Sequence, residues 1–341
     1  MSIRALLNTI GTKCRTLPVV ILYVTEGCNL RCISCSYRNP SPGELTVGEI
    51  AALARALKDS GLRHIVYSGG EPLLRKDFPE ICALFESPRI RQTLLTNGLL
   101  LEKRIGEAGG FPGEIIVSLD GPDAETHDAI RGIESYGRIV RGVRAAASRG
   151  ASISVRTVLQ KRNFMKLTAM VRSARDLGVS GISFLAADVR SQGFGRGARG
   201  TVVPGEELLL NGEEVTEFRS VISAAARECS AEFSSSFIAE SPAKLMRIAD
   251  YFDALNGTCE FPGPTCNAPM VSAVITSTGD ILPCYFLPSF GSIRHSPLPG
   301  LLNSAAIRST RRDVREGTPA PCRTCVCSLY VRPARALLGR F

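Results

Sequence analysis

Three cysteines near the N-terminus, Cys28, Cys32 and Cys35, are spaced so that one loop can bring their thiolates to a common centre. They follow the apolar run LPVVILYV (17–24), whose length and β-branched residues predict a buried strand. Three thiolates on one loop can hold three corners of a [4Fe–4S] cluster and leave the fourth iron open. A zinc site would need a fourth protein ligand, and His64 begins the next strand. The triplet therefore favours an iron–sulfur cluster over zinc.

A second set of cysteines lies towards the C-terminus. Cys266 and Cys284 flank two apolar runs joined by TGD (278–280), a pattern that predicts a β-hairpin. Farther along come Cys322, Cys325 and Cys327. A hairpin with Cys at both ends and a C-terminal knuckle can together hold a second cluster, and a structural zinc site on the same thiols is the alternative.

Polar and glycine-rich motifs follow three more predicted strands. SGGEP (68–72) has two glycines that let the backbone turn and approach a ligand, and the carboxylate of Glu71 can bind an ammonium group. TNG (96–98) and SLDGP (118–122) end the next two strands, and Arg131 follows shortly after the latter. All of these residues lie where βα folds carry their chemistry, at the C-terminal ends of strands.

The segments that position these motifs predict an α/β fold. Short apolar runs alternate with amphipathic stretches, which predicts parallel βα units in a partial, TIM-like (βα)6 barrel. The strands are expected at 17–24, 64–67, 92–95, 114–119, 152–159 and 181–186. The helices between them are expected near 46–60, 77–87, 100–108, 134–149 and 165–177.

The pattern changes after the sixth strand. Residues 188–212 are rich in glycine and polar residues, which predicts a loop or flap, and helices are expected at 214–229 and 241–255. We therefore divide the chain into a barrel core at 1–212, a helical connector at 213–258 and a small cysteine-bearing domain at 259–341.

The order of these motifs resembles that of the radical S-adenosylmethionine (radical SAM) superfamily, in particular of members with a SPASM or Twitch iron–sulfur domain. The resemblance implies that the Gly-Gly-Glu backbone binds the amino group of SAM, Ser118 its ribose and Arg131 its carboxylate. The residues expected at the SAM pocket are Ser68, Gly69, Gly70, Glu71, Asn97, Ser118 and Arg131. Many members place an aromatic residue just before the third cysteine, where this chain has Ser34, and we expect Tyr37 to cover the cluster instead.

The resemblance also implies an activity. A radical SAM oxidoreductase-type enzyme cleaves SAM reductively to a 5′-deoxyadenosyl radical, which abstracts hydrogen from a ribosomal peptide or small-molecule substrate. Its electrons come from a reducing donor such as flavodoxin or ferredoxin. One auxiliary [4Fe–4S] cluster is implied on Cys266, Cys284, Cys322 and Cys325, with Cys327 as a spare or substitute ligand and Cys259 unassigned. Two alternatives stay open, an iron–sulfur electron carrier and a zinc-stabilised binding protein, each without radical chemistry of its own.

Charge and hydropathy bear on location and partners. No apolar run approaches the roughly 20 residues of a membrane span, so no transmembrane segment is predicted and a cytoplasmic protein is expected. The net charge is +9, and residues 301–341 hold eight arginines against one aspartate and one glutamate, which is +6. This basic end, with Arg332, Arg335 and Arg340 beside Leu337, Leu338 and Phe341, suits an acidic or lipid-associated partner or is a solvated tail.

Overall fold

The computed structural model describes residues 3–105, 112–196, 205–263, 265–325, 327 and 329–334. The strands in this part of the chain are β1 (Val19–Thr25), β2 (His64–Gly69), β3 (Arg91–Thr96), β4 (Glu114–Ser118), β5 (Ser152–Leu159), β6 (Ile182–Ala186), β7 (Ser272–Ile275), β8 (Asp280–Leu282) and β9 (Gly291–Ser292). They form one sheet in the order β6-β5-β4-β3-β2-β1-β7-β8-β9. Strands β1 to β6 are all parallel, which confirms the predicted partial (βα)6 barrel.

Helices connect the parallel strands and continue into the C-terminal part. They are α1 (Ile3–Ile10), α2 (Val47–Asp59), α3 (Phe78–Leu84), α4 (Leu101–Arg104), α5 (Ala124–Arg131), α6 (Tyr136–Ala147), α7 (Leu167–Asp176), α8 (Gly205–Leu208), α9 (Gly212–Glu228), α10 (Ser230–Ser234), α11 (Pro242–Leu255), α12 (Ala268–Val271), α13 (Leu298–Leu301), α14 (Ala305–Arg315) and α15 (Ala320–Arg323). Local sequence fixes several of the ends. A capping box, for example, starts α9, where Asn211 and Glu214 each accept a hydrogen bond from the backbone of the other. The sequence did not predict α5, which follows the SLDGP motif directly.

Buried and half-buried residues alternate along the strands, which gives the sheet an outer face and an inner face. On β5, Val155 is buried in the main core with the surrounding helices, whereas Ser154 and Arg156 are half-buried on the opposite face. A smaller inner cluster lies on the concave side and contains Val19, Ile21, Tyr23, Tyr37 and Val274. The strand ends that carry the predicted motifs border this inner space.

The C-terminal strands complete the sheet rather than forming a separate one. β7 pairs in parallel with β1, with Val19 opposite Ser272, and β8 pairs antiparallel with β7. The turn between β7 and β8 holds Gly279 at φ +94°, a conformation that favours glycine. The predicted hairpin is thus present, and its first strand extends the barrel sheet across the predicted domain boundary at 259.

The described part of the predicted flap folds back over the loop after β1. Arg196 forms a buried ion pair with Asp188 at 2.7 Å, and the backbone N–H of Ser36 donates to Phe194 O at 3.0 Å. Phe194 has a positive φ of 57°, which is unusual for a side chain of its size. Residues 197–204 lie outside the described residues, and α8 follows them.

Among the described residues, no helix is both long and apolar enough to cross a bilayer. Arg332 of the basic end is exposed. The remaining residues singled out there lie outside the described residues: Arg335, Leu337, Leu338, Arg340 and Phe341.

Candidate functional site

The three N-terminal cysteines share the loop that directly follows β1. Cys28, Cys32 and Cys35 are partly buried free thiols, and they lie close enough together to affect each other electrostatically. Burial raises the pKa of the Cys28 thiol and raises that of Cys35 to about 11. The backbone closes the loop, since Cys28 N donates to Arg38 O at 2.9 Å and Cys35 N donates to Cys32 O at 3.3 Å. The structure therefore places all three cysteines of the predicted triplet on this one loop.

The cysteine loop is anchored to the C-terminal end of α5. Arg31 N donates to Arg131 O at 3.1 Å, and Ile33 N donates to Ile130 O at 3.2 Å. Gly132 ends the helix at φ +76°, and a Cβ at this position would lie 2.3 Å from the carbonyl oxygen of Arg31. The SLDGP segment and the cysteine loop are thus fixed against each other through a contact that only glycine allows.

Two side-chain donors point at the cysteine sulfurs. Asn97 Nδ2 lies 3.8 Å from Cys28 Sγ, and Arg131 Nη1 lies 3.6 Å from Cys32 Sγ. Hydrogen bonds to sulfur stabilise thiolates and tune the potential of an iron–sulfur cluster. The donor set, three thiols with N–H groups aimed at two of them, fits a cluster at this loop.

The Gly-Gly-Glu turn after β2 packs directly on the backbone before the cysteines. Gly70 N donates to Thr25 O and Glu71 N donates to Gly27 O, both at 2.8 Å. Gly69 has φ +116°, and a Cβ on Gly70 would lie 2.2 Å from Gly27 O. The two glycines therefore permit a backbone contact that any side chain would block.

Glu71 is fully buried, and both carboxylate oxygens accept hydrogen bonds from the protein. Oε1 accepts from Leu73 N at 3.0 Å and from Thr96 Oγ1 at 2.8 Å, while Oε2 accepts from Asn97 N at 2.7 Å. Burial raises its pKa to about 7, and these hydrogen bonds oppose the rise. The sequence predicted that this carboxylate could bind an ammonium group. In the structure its hydrogen bonds instead connect the turns after β2 and β3.

Arg131 is committed to a partner that sequence reasoning did not assign. Its Nη2 forms an ion pair with Asp120 Oδ2 at 2.7 Å, and both side chains are almost fully buried. Burial lowers the pKa of Arg131, but the charges of Asp120 and Cys32 more than offset this and raise it. Its Nε is buried and has no hydrogen-bond partner among the described residues. One donor of the guanidinium is therefore left for a ligand.

The remaining predicted SAM-pocket residues border the inner space at strand ends. Ser68 and Ser118 are half-buried near the ends of β2 and β4. Asn97 follows β3 and also donates to Asn29 Oδ1 at 2.8 Å, inside the cysteine loop. Apart from Arg131 on α5, the residues that the sequence assigned to SAM therefore lie at the C-terminal edge of β2, β3 and β4, with the thiols on the neighbouring loop.

All five C-terminal cysteines of the predicted set line one cavity. The cavity has a volume of about 340 Å³, and Cys266, Cys284, Cys322, Cys325 and Cys327 all contribute to its wall. Burial raises the pKa of the Cys284 thiol to about 11, and Cys266 and Cys322 add to the rise through their charge. Cys259 is exposed and does not line the cavity. The donor set fits a thiolate-bound cluster, with one cysteine more than the four such a cluster takes.

A row of tyrosines separates the two groups of cysteines. The ring of Tyr37, two residues after Cys35, lies 6.1 Å from that of Tyr23, and Tyr23 stacks on Tyr285 at 6.0 Å. Tyr285 follows Cys284 and lines its cavity. The sequence predicted that Tyr37 covers the cluster, but it did not single out Tyr23 or Tyr285. Tyr23 could have been found from its inner-face position on β1, and Tyr285 from its place next to Cys284.

Family models account for both halves of this arrangement. The model described as the radical SAM superfamily matches residues 22–174, and the iron–sulfur cluster-binding SPASM domain matches residues 266–326. The chain therefore belongs to the radical SAM superfamily and carries a SPASM domain. Its cofactors are a SAM-binding [4Fe–4S] cluster, SAM and auxiliary iron–sulfur, as the sequence predicted.

Curated relatives match less than half of the chain. An AdoMet-dependent heme synthase of Methanosarcina barkeri is 34% identical over 161 residues, covering 46% of each protein. An Fe-coproporphyrin III synthase of the same organism is 33% identical over 162 residues, covering 45% of this chain and 40% of the relative. A probable GTP 3′,8-cyclase of Archaeoglobus fulgidus is 40% identical over 133 residues, covering 37% and 44%. The match thus spans less than half of each relative.

Solved structures share the fold over nearly the whole chain. Streptococcus suis SuiB bound to precursor peptide SuiA superposes with a TM-score of 0.61 at 16% identity, covering 93% of this chain and 72% of SuiB. Native anSMEcpe with bound AdoMet and Cp18Cys peptide gives 0.62 at 16% identity, covering 95% and 96%. At these identities the likeness shows the fold.

Proposed function

We propose that this enzyme cleaves SAM reductively at a [4Fe–4S] cluster held by Cys28, Cys32 and Cys35. The observation that carries the proposal is the loop after β1, which holds three partly buried thiols and where N–H donors approach two of the sulfurs. When bound, the cluster would supply the electron for reductive cleavage of the C–S bond of SAM. The protein's task is to hold the thiols, to orient SAM and to exclude water.

The strand ends after β2, β3 and β4 would orient SAM. The backbone at Gly69 and Gly70 would bind the amino group, on a turn that the two glycines allow to pack against Thr25 O and Gly27 O. Ser118 lies at the end of β4, where its hydroxyl would bind the ribose, and Ser68 and Asn97 would complete the rim. Glu71 acts indirectly, since its carboxylate fixes the two turns on which these groups stand.

Arg131 would have two roles at once. Its ion pair with Asp120 and its N–H to Cys32 hold the cysteine loop against α5. Its unpartnered Nε is the donor available to the carboxylate of SAM. Arg131, which the sequence assigned to SAM, would thus also position the cysteine loop.

The auxiliary cluster would take Cys266, Cys284, Cys322 and Cys325. Cys327 lines the same cavity and is the substitute ligand if one of the four is lost. Cys259 lies outside the cavity and is assigned no metal. A cluster held by four protein thiolates has no open iron, so its role would be to pass an electron rather than to bind SAM.

The substrate is a peptide or a small molecule, and the reaction is a hydrogen abstraction of oxidoreductase type. Two groups of similar proteins support these classes: the structural neighbours SuiB and anSMEcpe bind peptides, and the curated relatives are named for heme, Fe-coproporphyrin III and GTP chemistry. A low-potential donor such as flavodoxin or ferredoxin would supply the electron.

Formation of 5′-deoxyadenosine tests the proposal. Anaerobically reconstituted protein with dithionite and SAM should release 5′-deoxyadenosine even without substrate. Cys32→Ala should abolish the product because it removes one cluster corner, while Cys259→Ala, a change outside both groups, should not. An iron-loaded wild type that makes no 5′-deoxyadenosine would be an electron carrier, and a zinc-loaded one a binding protein.

A further inference from the structure

Arg156 is a cation on the inner face of the barrel. It lies on β5, in register with Ser118 of β4, and it is half-buried while its neighbours Val155 and Thr157 are buried on the outer face. Leu119 N donates to its carbonyl oxygen at 3.0 Å, which fixes the backbone of Arg156 at the SLDGP strand end. Arg156 is therefore on the strand next to Ser118, the residue assigned to the SAM ribose.

The charge of Arg156 has no carboxylate partner among the described residues. Its one polar side-chain contact there is from Nε to the neutral Ser183 Oγ at 3.1 Å. By contrast, the buried Arg131 and Arg196 each form an ion pair of 2.7 Å, with Asp120 and Asp188 respectively. Removing a cation from water without a counter-ion is unfavourable, so a half-buried, uncompensated arginine favours an anionic ligand.

Arg156 also lies opposite Ser183 of β6 in the sheet register, as it lies opposite Ser118 of β4. Its backbone is therefore fixed between two strands next to the strand end that the sequence assigned to SAM.

We propose that Arg156 binds a carboxylate or phosphate group of the substrate and holds it beside the SAM-binding strand ends. The proposal rests on the proposed function, because only a SAM-cleaving site needs a substrate at this place. A guanidinium suits the task, since its planar fork donates two parallel hydrogen bonds to such a group. The substrate class is therefore an anionic molecule or an anionic residue of a peptide.

Arginine-selective labelling tests the proposal on the intact holoenzyme. Phenylglyoxal modification, followed residue by residue with peptide mass spectrometry, should label Arg156 at least about tenfold faster than the ion-paired Arg131. Citrate or inorganic phosphate, the carboxylate and phosphate probes, should slow labelling of Arg156 in a saturable way. Arg162, an exposed arginine paired with Glu207 at 3.4 Å, is the matched control and should not respond.

Two sources of carboxylate must be separated. The labelling is repeated with SAM alone and with SAM plus each probe. If SAM alone protects Arg156 fully, the residue binds the carboxylate of SAM and the proposal is overturned. If neither citrate nor phosphate slows labelling of the SAM-bound enzyme, Arg156 recognises no anion and the proposal also fails. Protection by a probe on top of SAM is the expected result.

A variant pair checks the affinity directly. By calorimetry, Arg156→Gln should weaken binding of the protecting probe about tenfold or more, whereas Arg162→Gln should leave it unchanged. The dissociation constant for SAM should be the same in both variants, and equal probe affinity in them would contradict the proposal. None of these readouts requires turnover. A wild type that fails to make 5′-deoxyadenosine would therefore refute the proposed function and leave the anion site to be judged separately.

Discussion

Gly70→Ala adds one methyl group at the closest backbone contact of the site. The new Cβ would lie 2.2 Å from Gly27 O and 2.7 Å from Glu26 O. Because real Cβ contacts do not fall below 3.0 Å, the Gly27 carbonyl must retreat by about 0.8 Å, and it belongs to the residue before Cys28. Gly70 does not have a positive φ, so the effect is one of contact and not of backbone strain.

The displacement has a predictable size. It would lengthen or break two hydrogen bonds of 2.8 Å, from Gly70 N to Thr25 O and from Glu71 N to Gly27 O. At about 0.5–1.5 kcal/mol each, the free energy of unfolding should fall by about 1–3 kcal/mol. The cysteine loop should also lose its cluster, so that iron falls from about eight to about four atoms per chain while the auxiliary site stays filled.

Anaerobic urea denaturation and iron and sulfide analysis measure both effects. The control is Gly212→Ala, which adds the same methyl group at the start of α9 with no atom within 4 Å. Gly212→Ala should change the free energy of unfolding by no more than about 0.5 kcal/mol and should leave the iron content unchanged. A Gly70→Ala protein as stable and as iron-rich as the control would refute the claim that this turn positions the cysteine loop.

Three further predictions concern the other supports of the two sites. Arg131→Ala leaves Asp120 buried without its partner and should lower the free energy of unfolding by about 3–5 kcal/mol, with Asp120→Asn in the same background recovering part of the loss; no recovery in urea denaturation would mean that the pair is not coupled. Glu71→Gln replaces a carboxylate oxygen that accepts a backbone N–H by an amide nitrogen that cannot, so the free energy of unfolding should fall by about 1–3 kcal/mol. A variant as stable as the wild type would contradict the role given to this carboxylate. Cys284→Ala should remove the auxiliary iron while Cys259→Ala should keep it; equal iron content in the two variants would place the cluster elsewhere.

The barrel could be predicted because its signals are local. The parallel strands are short segments rich in apolar residues, such as 17–24, and they are separated by amphipathic helical stretches. The cysteine loop and the Gly-Gly-Glu turn follow directly on such runs, so their place at the same edge of the sheet follows from parallel strand order. Short helices without a strong hydrophobic period are harder to predict. The sequence did not predict α5, although the side chain of Asp123 caps it by accepting a hydrogen bond from Thr126 N.

What the sequence did not predict depends on contacts between distant segments. The pairing of β7 with β1 joins residues about 250 positions apart, and no local pattern in Ser272–Ile275 identifies that neighbour. The Asp120–Arg131 ion pair is similar, because both residues were noted as polar but only the fold of α5 turns one towards the other. Arg156 was not noted at all, since an arginine in a strand looks like an exposed one until the inner face is known.

The most direct test of the central claim is the electron paramagnetic resonance spectrum of the dithionite-reduced protein, recorded with and without SAM. The wild type is compared with a variant in which Cys28, Cys32 and Cys35 are all alanine. The wild-type spectrum should change when SAM is added, because SAM binds the open iron of the N-terminal cluster, whereas the variant should keep an auxiliary signal that ignores SAM. A variant whose signal still responds to SAM, or one that is colourless and holds zinc, would contradict the account.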